Sequence, residues 1–285
     1  MPLSARSLFR PVWWLSHVLL TVALVATVWS GAWEFSVRQY LKGFANAIVP
    51  EAVSPQQKAE AILTWISNGP HRLAPEHPED LSPRDPENTL NYQLLLAVCG
   101  SATNAFLNLS RSAGLETRRL LLLTPERKTK HVVAEIYLDG RWVIVDPAYR
   151  VFMKDARGNL LTRKDLQNPE TLREATSSLP DYRPEYTYER FAHVHLGALP
   201  FHGAGIRRLL DRVFPRWEEY LDWSLLLERR SFFFLFLSAS SLIFLVFLRA
   251  VLALVADHYL HVPRFHLRAN LGRAAISLFT TPEIK

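Results

Sequence analysis

Two long apolar runs lie towards opposite ends of the chain, with a mixed polar region between them. Val12 to Trp33 contains no charged residue, and Ser231 to Leu248 is uncharged as well. Each run can reach the roughly 20 apolar residues that an α-helix needs to cross the hydrocarbon core of a bilayer. Tryptophans, which favour the membrane–water interface, mark both ends of the first run: Trp13, Trp14, Trp29 and Trp33. The pattern predicts two transmembrane helices.

A cleaved signal peptide is the alternative for the first run, because Ser30-Gly31-Ala32 has the small residues of a cleavage site. The run is longer than the roughly 7–15 apolar residues of such peptides, which favours an uncleaved anchor. A buried helix of a soluble protein is the alternative for the second run. Phe232-Phe233-Phe234 and the residues after them are apolar on every helical face, which favours a membrane span.

The first predicted helix of the polar region begins after Ser54, its predicted N-cap, with Pro55 at the first helical position. Its apolar positions share one face: Ala59, Ile62, Leu63 and Ile66. Gly69-Pro70 is predicted to end this helix. His71 to Asn88 is rich in proline and charge and is predicted to be a loop.

Two further helices are predicted on either side of Cys99. One approaches it from Thr89, and the other follows it directly. The second has apolar or small residues at helical spacing: Ala102, Ala105, Phe106, Leu109 and Ala113. Gly114 stands where a left-handed C-cap belongs, so the helix is predicted to end there.

Strands are predicted after this helix. Residues 118–123, 131–138 and 141–147 are rich in β-branched and apolar residues. Asp139-Gly140, between the last two, is a strong signal for a tight hairpin. Helices followed by antiparallel strands predict an α+β fold. The predicted segments are a tail (1–11), a first transmembrane helix (12–33), a stem (34–53), the α+β domain (54–200), an amphipathic juxtamembrane segment (201–230), a second transmembrane helix (231–256) and a C-terminal tail (257–285).

Composition adds a net charge of +6 and an isoelectric point near 9.5. Basic residues do not form a run of five or more, and no nucleic-acid-binding motif is present. Basic flanks of membrane helices explain the sign of the charge more simply. We therefore expect a lipid bilayer as partner and no nucleic acid.

Cys99 is the only cysteine, so it cannot form an intramolecular disulfide. A buried thiol that only fills space is the common alternative for such a residue. Here the cysteine heads a predicted helix, whose backbone amides and dipole favour a thiolate. This placement makes Cys99 a candidate nucleophile if a base lies near.

The predicted hairpin can supply that base. If Asp139 and Gly140 are the turn residues, Leu138 pairs with Arg141, and His131 and Asp146 become diagonal neighbours on one face. Such neighbours lie roughly 7–8 Å apart, within reach of an imidazole and a carboxylate. An aspartate that orients a histidine next to a thiol follows the nucleophile–base–orienter logic of acyl transfer.

These residues, in this order, resemble the transglutaminase-like superfamily. The pattern R-x-x-G-[IL]-x-x-R is matched from Arg111 to Arg118, the aromatic hairpin by Gly140-Arg141-Trp142, and the acidic motif by Val145-Asp146-Pro147. Lys58 to Leu73 resembles the first helix of the family, and the likeness covers about Ser54 to Tyr149. The resemblance implies a papain-like core with Cys99, His131 and Asp146 as catalytic triad.

The resemblance also implies acyl transfer on peptide or protein amides, and we expect hydrolysis of the peptidase or amidase type more than cross-linking. The alternative is a non-catalytic scaffold or accessory component of a membrane or cell-envelope assembly. The family suggests the Cys99 backbone amide as an oxyanion donor, and Gln93 is a weaker candidate. No cofactor is expected, because no acidic cluster resembles a calcium loop.

His193, His195 and His202 offer a competing interpretation. Alternate residues of a strand share a face, so His193 and His195 could hold zinc. No acidic residue or cysteine lies close to them in sequence, and we expect no metal site.

For the membrane topology, we expect both termini in the cytosol and the domain outside the cell membrane, which is the inner membrane in a Gram-negative cell. Arg6 and Arg10 precede the first apolar run without a nearby acid. A single cysteine also leaves nothing to mispair in an oxidising compartment.

Overall fold

The computed structural model describes residues 5–51, 53–68, 77–193, 203–214, 217 and 224–261. The chain divides into two compact units. One consists of Met1–Trp29 with Leu237–Lys285, and the other is Ser30–Phe236. Gly69-Pro70, His195, His202 and the tail beyond residue 261 lie outside the described residues, so the predictions that concern them stay predictions.

Within the described residues, two helices have the length and composition to cross a membrane. α1 spans Ala5–Ile48, so the predicted stem continues the first apolar run in one helix. A long apolar helix near the other end, Arg230–Val255, continues as a π-helical segment, Ala256–Leu260. Only 17% of the most apolar part of the first candidate span and 6% of the second are buried within the protein. Large apolar side chains therefore cover the outside of both helices, which fits a lipid environment.

In the first unit, a histidine and an arginine connect the two apolar helices. Arg249 donates a hydrogen bond to His17 Nε2 at 2.6 Å, and the other ring nitrogen of His17 donates to the Trp13 carbonyl at 2.8 Å. The Arg249 guanidinium also lies over the Trp13 ring, 4.5 Å from its centroid. Phe9, Trp13 and Ala256 are buried here. His17 and Arg249 lie on apolar helices, and their polar atoms find hydrogen-bonding partners within the protein.

In the second unit, helices precede and follow a central sheet. After α1, the helices are α2 (Pro55–Asn68), α3 (Pro86–Asn91), α4 (Gln93–Leu96), α5 (Cys99–Ser112), α6 (Pro169–Thr176), α7 (Gly203–Val213), α8 (Ser224–Glu228) and α9, the apolar helix Arg230–Val255. The four residues predicted to share the apolar face of α2 are its buried residues, which confirms that prediction. Gly114 follows α5 with φ +80°, the left-handed conformation predicted for its C-cap.

The sheet has five antiparallel strands in the order β4-β3-β2-β1-β5. Their bounds are β1 Thr117–Leu123, β2 Thr129–Leu138, β3 Arg141–Asp146, β4 Val151–Phe152 and β5 Phe191–Ala192. Leu138 pairs with Arg141, which confirms the predicted register of the hairpin. Asp139 and Gly140 both have positive φ, 49° and 81°, as a two-residue hairpin turn of this kind requires.

The alternation of side chains along β2 supplies two apolar clusters, one on each face of the sheet. Ala134, Ile136 and Leu138 pack with α1, α2 and α5. Val133 points to the opposite side, with β1 and residues 153–188. Helices and sheet thus share a mixed α+β core, which confirms the predicted fold class.

Ion pairs with buried carboxylates fix the end of α5 and the start of β1 in place. Arg118 Nε donates to Glu135 Oε2 at 2.6 Å on the neighbouring strand. Arg111 pairs with Glu228 and also donates to the Thr117 carbonyl at 2.9 Å. Glu135 and Glu228 are buried, so each depends on its arginine partner. The two arginines of the R-x-x-G-[IL]-x-x-R pattern therefore have a structural role here.

Another buried carboxylate, Glu34 of α1, binds the start of α9. It accepts hydrogen bonds from Arg38 at 2.7 Å and Ser231 at 2.8 Å. Arg229 lies 3.2 Å from the same carboxylate. These contacts fix α1 and the start of α9 against each other within the second unit.

Candidate active site

Cys99 occupies the first position of α5. Val98 is the N-cap, with extended backbone angles (φ −97°, ψ 129°) that turn the chain into the helix. The Cys99 side chain is half-buried and packs against an apolar cluster that includes Leu121, Leu123 and Val132. Thr103, one helical turn later, donates to the Val132 carbonyl at 3.0 Å. That bond fixes the start of α5 against the strand that carries His131.

His131 and Asp146 lie on neighbouring strands of the hairpin and share a short hydrogen bond. His131 Nε2 donates to Asp146 Oδ2 at 2.7 Å, and both side chains are almost fully buried. The register of β2 and β3 produces this contact, since the two residues are diagonal neighbours. Nδ1 of His131 is buried and has no hydrogen-bond partner within the described residues. It is therefore the nitrogen that can exchange a proton with Cys99.

Asp146 is itself oriented by the backbone that follows it. Its Oδ1 atom accepts from the amides of Ala148 at 3.1 Å and Tyr149 at 3.3 Å. Oδ1 of the carboxylate thus binds the turn after β3, and Oδ2 binds His131. Fixing both oxygens fixes the direction of the hydrogen bond to the imidazole as well.

The electrostatics favour a charged thiol–imidazole pair. Burial opposes a charge on Cys99, but the nearby His131 imidazole and the backbone at Val132 and Gly100 outweigh burial and lower the pKa of the thiol. Burial also opposes a charge on His131, but Asp146 and Cys99 raise the pKa of the imidazole to about 9. Near neutral pH, His131 is therefore protonated and a thiolate at Cys99 is stabilised.

Three tyrosines surround the imidazole. Tyr186 stacks on His131, with ring centroids 4.2 Å apart and ring planes 6° apart. Tyr149 and Tyr182 approach His131 edge-on at 6.0 Å and 6.4 Å. We call Tyr149, Tyr182 and Tyr186 the tyrosine group. It shields the His131–Asp146 pair and presents an aromatic face to the imidazolium.

Sequence analysis missed the tyrosine group. Tyr182 and Tyr186 belong to the segment Asp181–Phe191, well beyond the part of the chain that resembles the family. The only signal was the density of tyrosine around Pro184, where Tyr188 follows Tyr182 and Tyr186. Such spacing does not reveal which distant histidine the rings will contact.

Gln93, the weaker oxyanion candidate, begins α4 and is exposed. Within the described residues, no hydrogen bond connects its side chain to Cys99, His131 or Asp146, and its proposed role stays a prediction. The Cys99 amide belongs to the first turn of α5, where helix amides have no acceptor within the helix. It is therefore available as a donor beside the thiol.

His193 is a core residue in the part of the chain that the structure describes. Its Nδ1 atom is bonded to the Arg119 carbonyl at 2.7 Å, and its Nε2 atom lies 3.7 Å from Glu135 Oε2. Among the described residues, no group of three or more histidine, cysteine, aspartate or glutamate side chains could hold a metal ion. His195 and His202 lie outside that part.

One comparison with known proteins finds a family for the part of the chain that holds these residues. Residues 42–147 match the model of the transglutaminase-like superfamily, a stretch that contains Cys99, His131 and Asp146. No curated protein and no solved structure matches the chain. Residues 42–147 are therefore a domain of the transglutaminase-like superfamily, in a chain with two candidate membrane-spanning helices.

Proposed function

We propose that this protein is a membrane-anchored cysteine enzyme that transfers acyl groups from peptide or protein amides, mainly to water. Cys99 is the nucleophile, His131 the general acid and base, and Asp146 the residue that orients His131. The observation that carries the proposal is the buried 2.7 Å bond between His131 and Asp146, next to a helix N-terminus that holds the only cysteine.

In the first step, the Cys99 thiolate attacks the amide carbonyl and forms a carbon–sulfur bond. The carbonyl oxygen becomes an oxyanion, which the Cys99 backbone amide can stabilise. When the tetrahedral intermediate collapses, the carbon–nitrogen bond breaks and protonated His131 gives its Nδ1 proton to the leaving amine. The product is a thioester on Cys99 and a free amine.

In the second step, neutral His131 takes a proton from water as the water attacks the thioester. The carbon–sulfur bond then breaks, a carboxylic acid leaves, and the thiolate–imidazolium pair is restored. A primary amine in place of water would give a new amide, which is cross-linking. Nothing in the chemistry of the triad itself distinguishes the two acceptors, so the acceptor must be measured.

We also propose that both termini lie in the cytosol and that the domain lies on the outer side of the cell membrane. One candidate span precedes the domain in the chain and another follows it, which supports a membrane anchor at each end of the domain. The free thiol of Cys99 has no second cysteine with which to form an intramolecular disulfide in an oxidising compartment.

The experiment is an acyl-enzyme trap on the full-length protein in detergent. The protein is mixed with a library of peptides, quenched in acid and analysed by intact mass. We expect a mass increase on the wild-type chain that is absent from Cys99→Ser, and peptide acids as products. Added methylamine separates the acceptors, because a transamidase would release peptide methylamides instead of acids. Absence of both adduct and product over a broad library would favour the scaffold alternative.

A further inference from the structure

A pocket lies beside the tyrosine group in the second unit. Its volume is about 320 Å³, and α6, the short helical turn before it and the segment that carries Tyr182 supply its lining. This volume is at the lower end of the range of small-molecule pockets, roughly 300–1,000 Å³. Tyr182 belongs both to the pocket lining and to the tyrosine group around His131.

The inner surface of the pocket is apolar. Leu166 and Leu172 are buried beneath it, and Pro169, Pro184 and the Tyr182 ring complete the apolar part of the lining. A side chain with an apolar body would lose water on entering such a site, and that transfer is favourable.

The charged side chains that line the pocket do not all have a partner of opposite charge. Arg183 lies 3.9 Å from Glu185, and Glu189 faces the positive charge of Lys130. Arg173, in the last turn of α6, is exposed, and its guanidinium makes no hydrogen bond or ion pair within the described residues. One guanidinium at this pocket is therefore available for an anionic ligand group, and guanidinium binds carboxylates with particular strength.

The pocket and the triad share one neighbour, the Tyr182 ring. The Tyr182 ring, which forms part of the pocket wall, lies with its centroid 6.4 Å from that of His131. An extended peptide advances about 3.3–3.6 Å per residue. A substrate bound across Tyr182 would therefore place in the pocket a group some residues away from the attacked carbonyl.

We propose that this pocket is a subsite for a substrate segment that combines an apolar side chain with a carboxylate, bound by Arg173. The inference rests on the proposed acyl-transfer function and adds a substrate preference to it. An amide near an apolar residue with a free carboxyl group, as at a peptide C-terminus, has this chemistry.

The test uses alkylating peptides, because the thiolate of Cys99 displaces chloride and each chain has one cysteine. Chloroacetyl-glycyl-leucine is compared with its C-terminal amide on the full-length protein in detergent. We expect the acid to react about 10-fold faster than the amide, because a charge-assisted hydrogen bond to the Arg173 guanidinium holds the acid at the pocket and screening by solvent limits the gain. High salt should reduce the ratio.

Two variants make the test specific. Arg173→Gln should bring the ratio of acid to amide close to one, whereas Arg141→Gln, an exposed arginine at the start of β3, should leave it unchanged. Iodoacetate and iodoacetamide form a second pair that is too short to reach the pocket. They control for a general attraction of anions to the thiol.

The outcomes separate the subsite from the enzyme. Rapid alkylation by iodoacetamide near neutral pH, with an acid-to-amide ratio near one in the wild-type protein, would overturn the subsite and leave the acyl-transfer function standing. A ratio that persists in Arg173→Gln would also overturn it. Slow alkylation by every reagent would instead count against the proposed function itself.

Discussion

His131 is the residue on which the proposed chemistry depends, and it is held from three directions. Asp146 binds its Nε2 atom, Tyr186 stacks on its face, and Tyr149 approaches it edge-on. The hydrogen bond fixes the tautomer and the stack fixes the ring plane. With both fixed, Nδ1 is left to serve Cys99.

Tyr186 can be tested by comparing two substitutions. Tyr186→Phe keeps the aromatic face and should alkylate Cys99 at the wild-type rate within about two-fold. Tyr186→Ala removes a cation–π contact of about 1 kcal/mol, and the rate with iodoacetamide at pH 7 should fall about 5-fold. Equal rates in the two variants would show that the stacked ring does not support the imidazolium. A near-ultraviolet circular dichroism spectrum of each variant checks that the fold is intact.

At the scale of elements, the hairpin of β2 and β3 determines the distance between His131 and Asp146. The turn needs two residues with positive φ, and Asp139-Gly140 provides them. Left-handed backbone costs about 1–2 kcal/mol for residues other than glycine, asparagine and aspartate. The turn residues therefore contribute to the geometry of the site from its far end.

Replacing Asp139-Gly140 by Ala-Ala should destabilise the turn and disturb the pairing of the strands. We expect the rate of Cys99 alkylation per folded molecule to fall several-fold, because His131 and Asp146 would no longer be held together. Gly158→Ala is the matched control. Gly158 also has positive φ (83°) and an open space for a Cβ atom, but its turn does not carry the triad. Gly158→Ala should lose stability but keep the wild-type rate of Cys99 alkylation. A similar loss of alkylation rate in Gly158→Ala and in the Ala-Ala variant would contradict the role of the hairpin.

The pair of Arg118 and Glu135 is the second element-scale feature, because it joins β1 to β2. Arg118→Ala removes the guanidinium that pairs with the buried carboxylate of Glu135 and leaves the carboxylate beside His193, 3.7 Å away. Removing one partner of a buried pair costs about 3–5 kcal/mol. Thermal unfolding in detergent should therefore show a clear loss of stability, whereas Arg141→Ala, at an exposed position, should stay near the wild-type value. A midpoint unchanged in Arg118→Ala would contradict a stabilising role for the pair.

The hairpin and the tyrosine group show why sequence analysis succeeded for one part of the site and failed for another. The register of β2 and β3 follows from a local turn signal, so the contact of His131 with Asp146 could be predicted from residues close in sequence. Tyr182 and Tyr186 reach the same histidine from beyond α6, through packing of an irregular segment. No periodic pattern encodes such a contact. The buried partner of Arg111, Glu228, was hidden for the same reason.

At the scale of the whole molecule, two apolar helices flank the transglutaminase-like domain, and the chain carries one thiol. That thiol lies in the second unit, half-buried at the start of α5. Any reagent that modifies a cysteine in the wild-type protein must therefore have reached the domain. This makes the side of the membrane on which the domain lies accessible to direct measurement.

A membrane-impermeant maleimide, added to intact bacterial spheroplasts, should label the wild-type protein, because we expect the domain on the outer side. Cys99→Ser combined with Ser4→Cys moves the thiol to the N-terminus. That variant should be labelled only after lysis, since both termini are expected in the cytosol. The reverse pattern, with Cys99 labelled only after lysis, would place the domain in the cytosol.

The central claim is that Cys99 is a nucleophile activated by His131, and the most direct measurement is the pH dependence of its alkylation by iodoacetamide. The thiolate reacts, so the rate falls as pH falls through the pKa of Cys99, which the structure lowers. His131, with its pKa raised to about 9, supplies the positive charge at neutral pH. We expect rapid reaction well below pH 8, a profile shifted to higher pH in His131→Ala, and a smaller shift in Asp146→Asn. A wild-type profile with the pKa of about 8.5 typical of a free cysteine, unchanged in His131→Ala, would contradict the account.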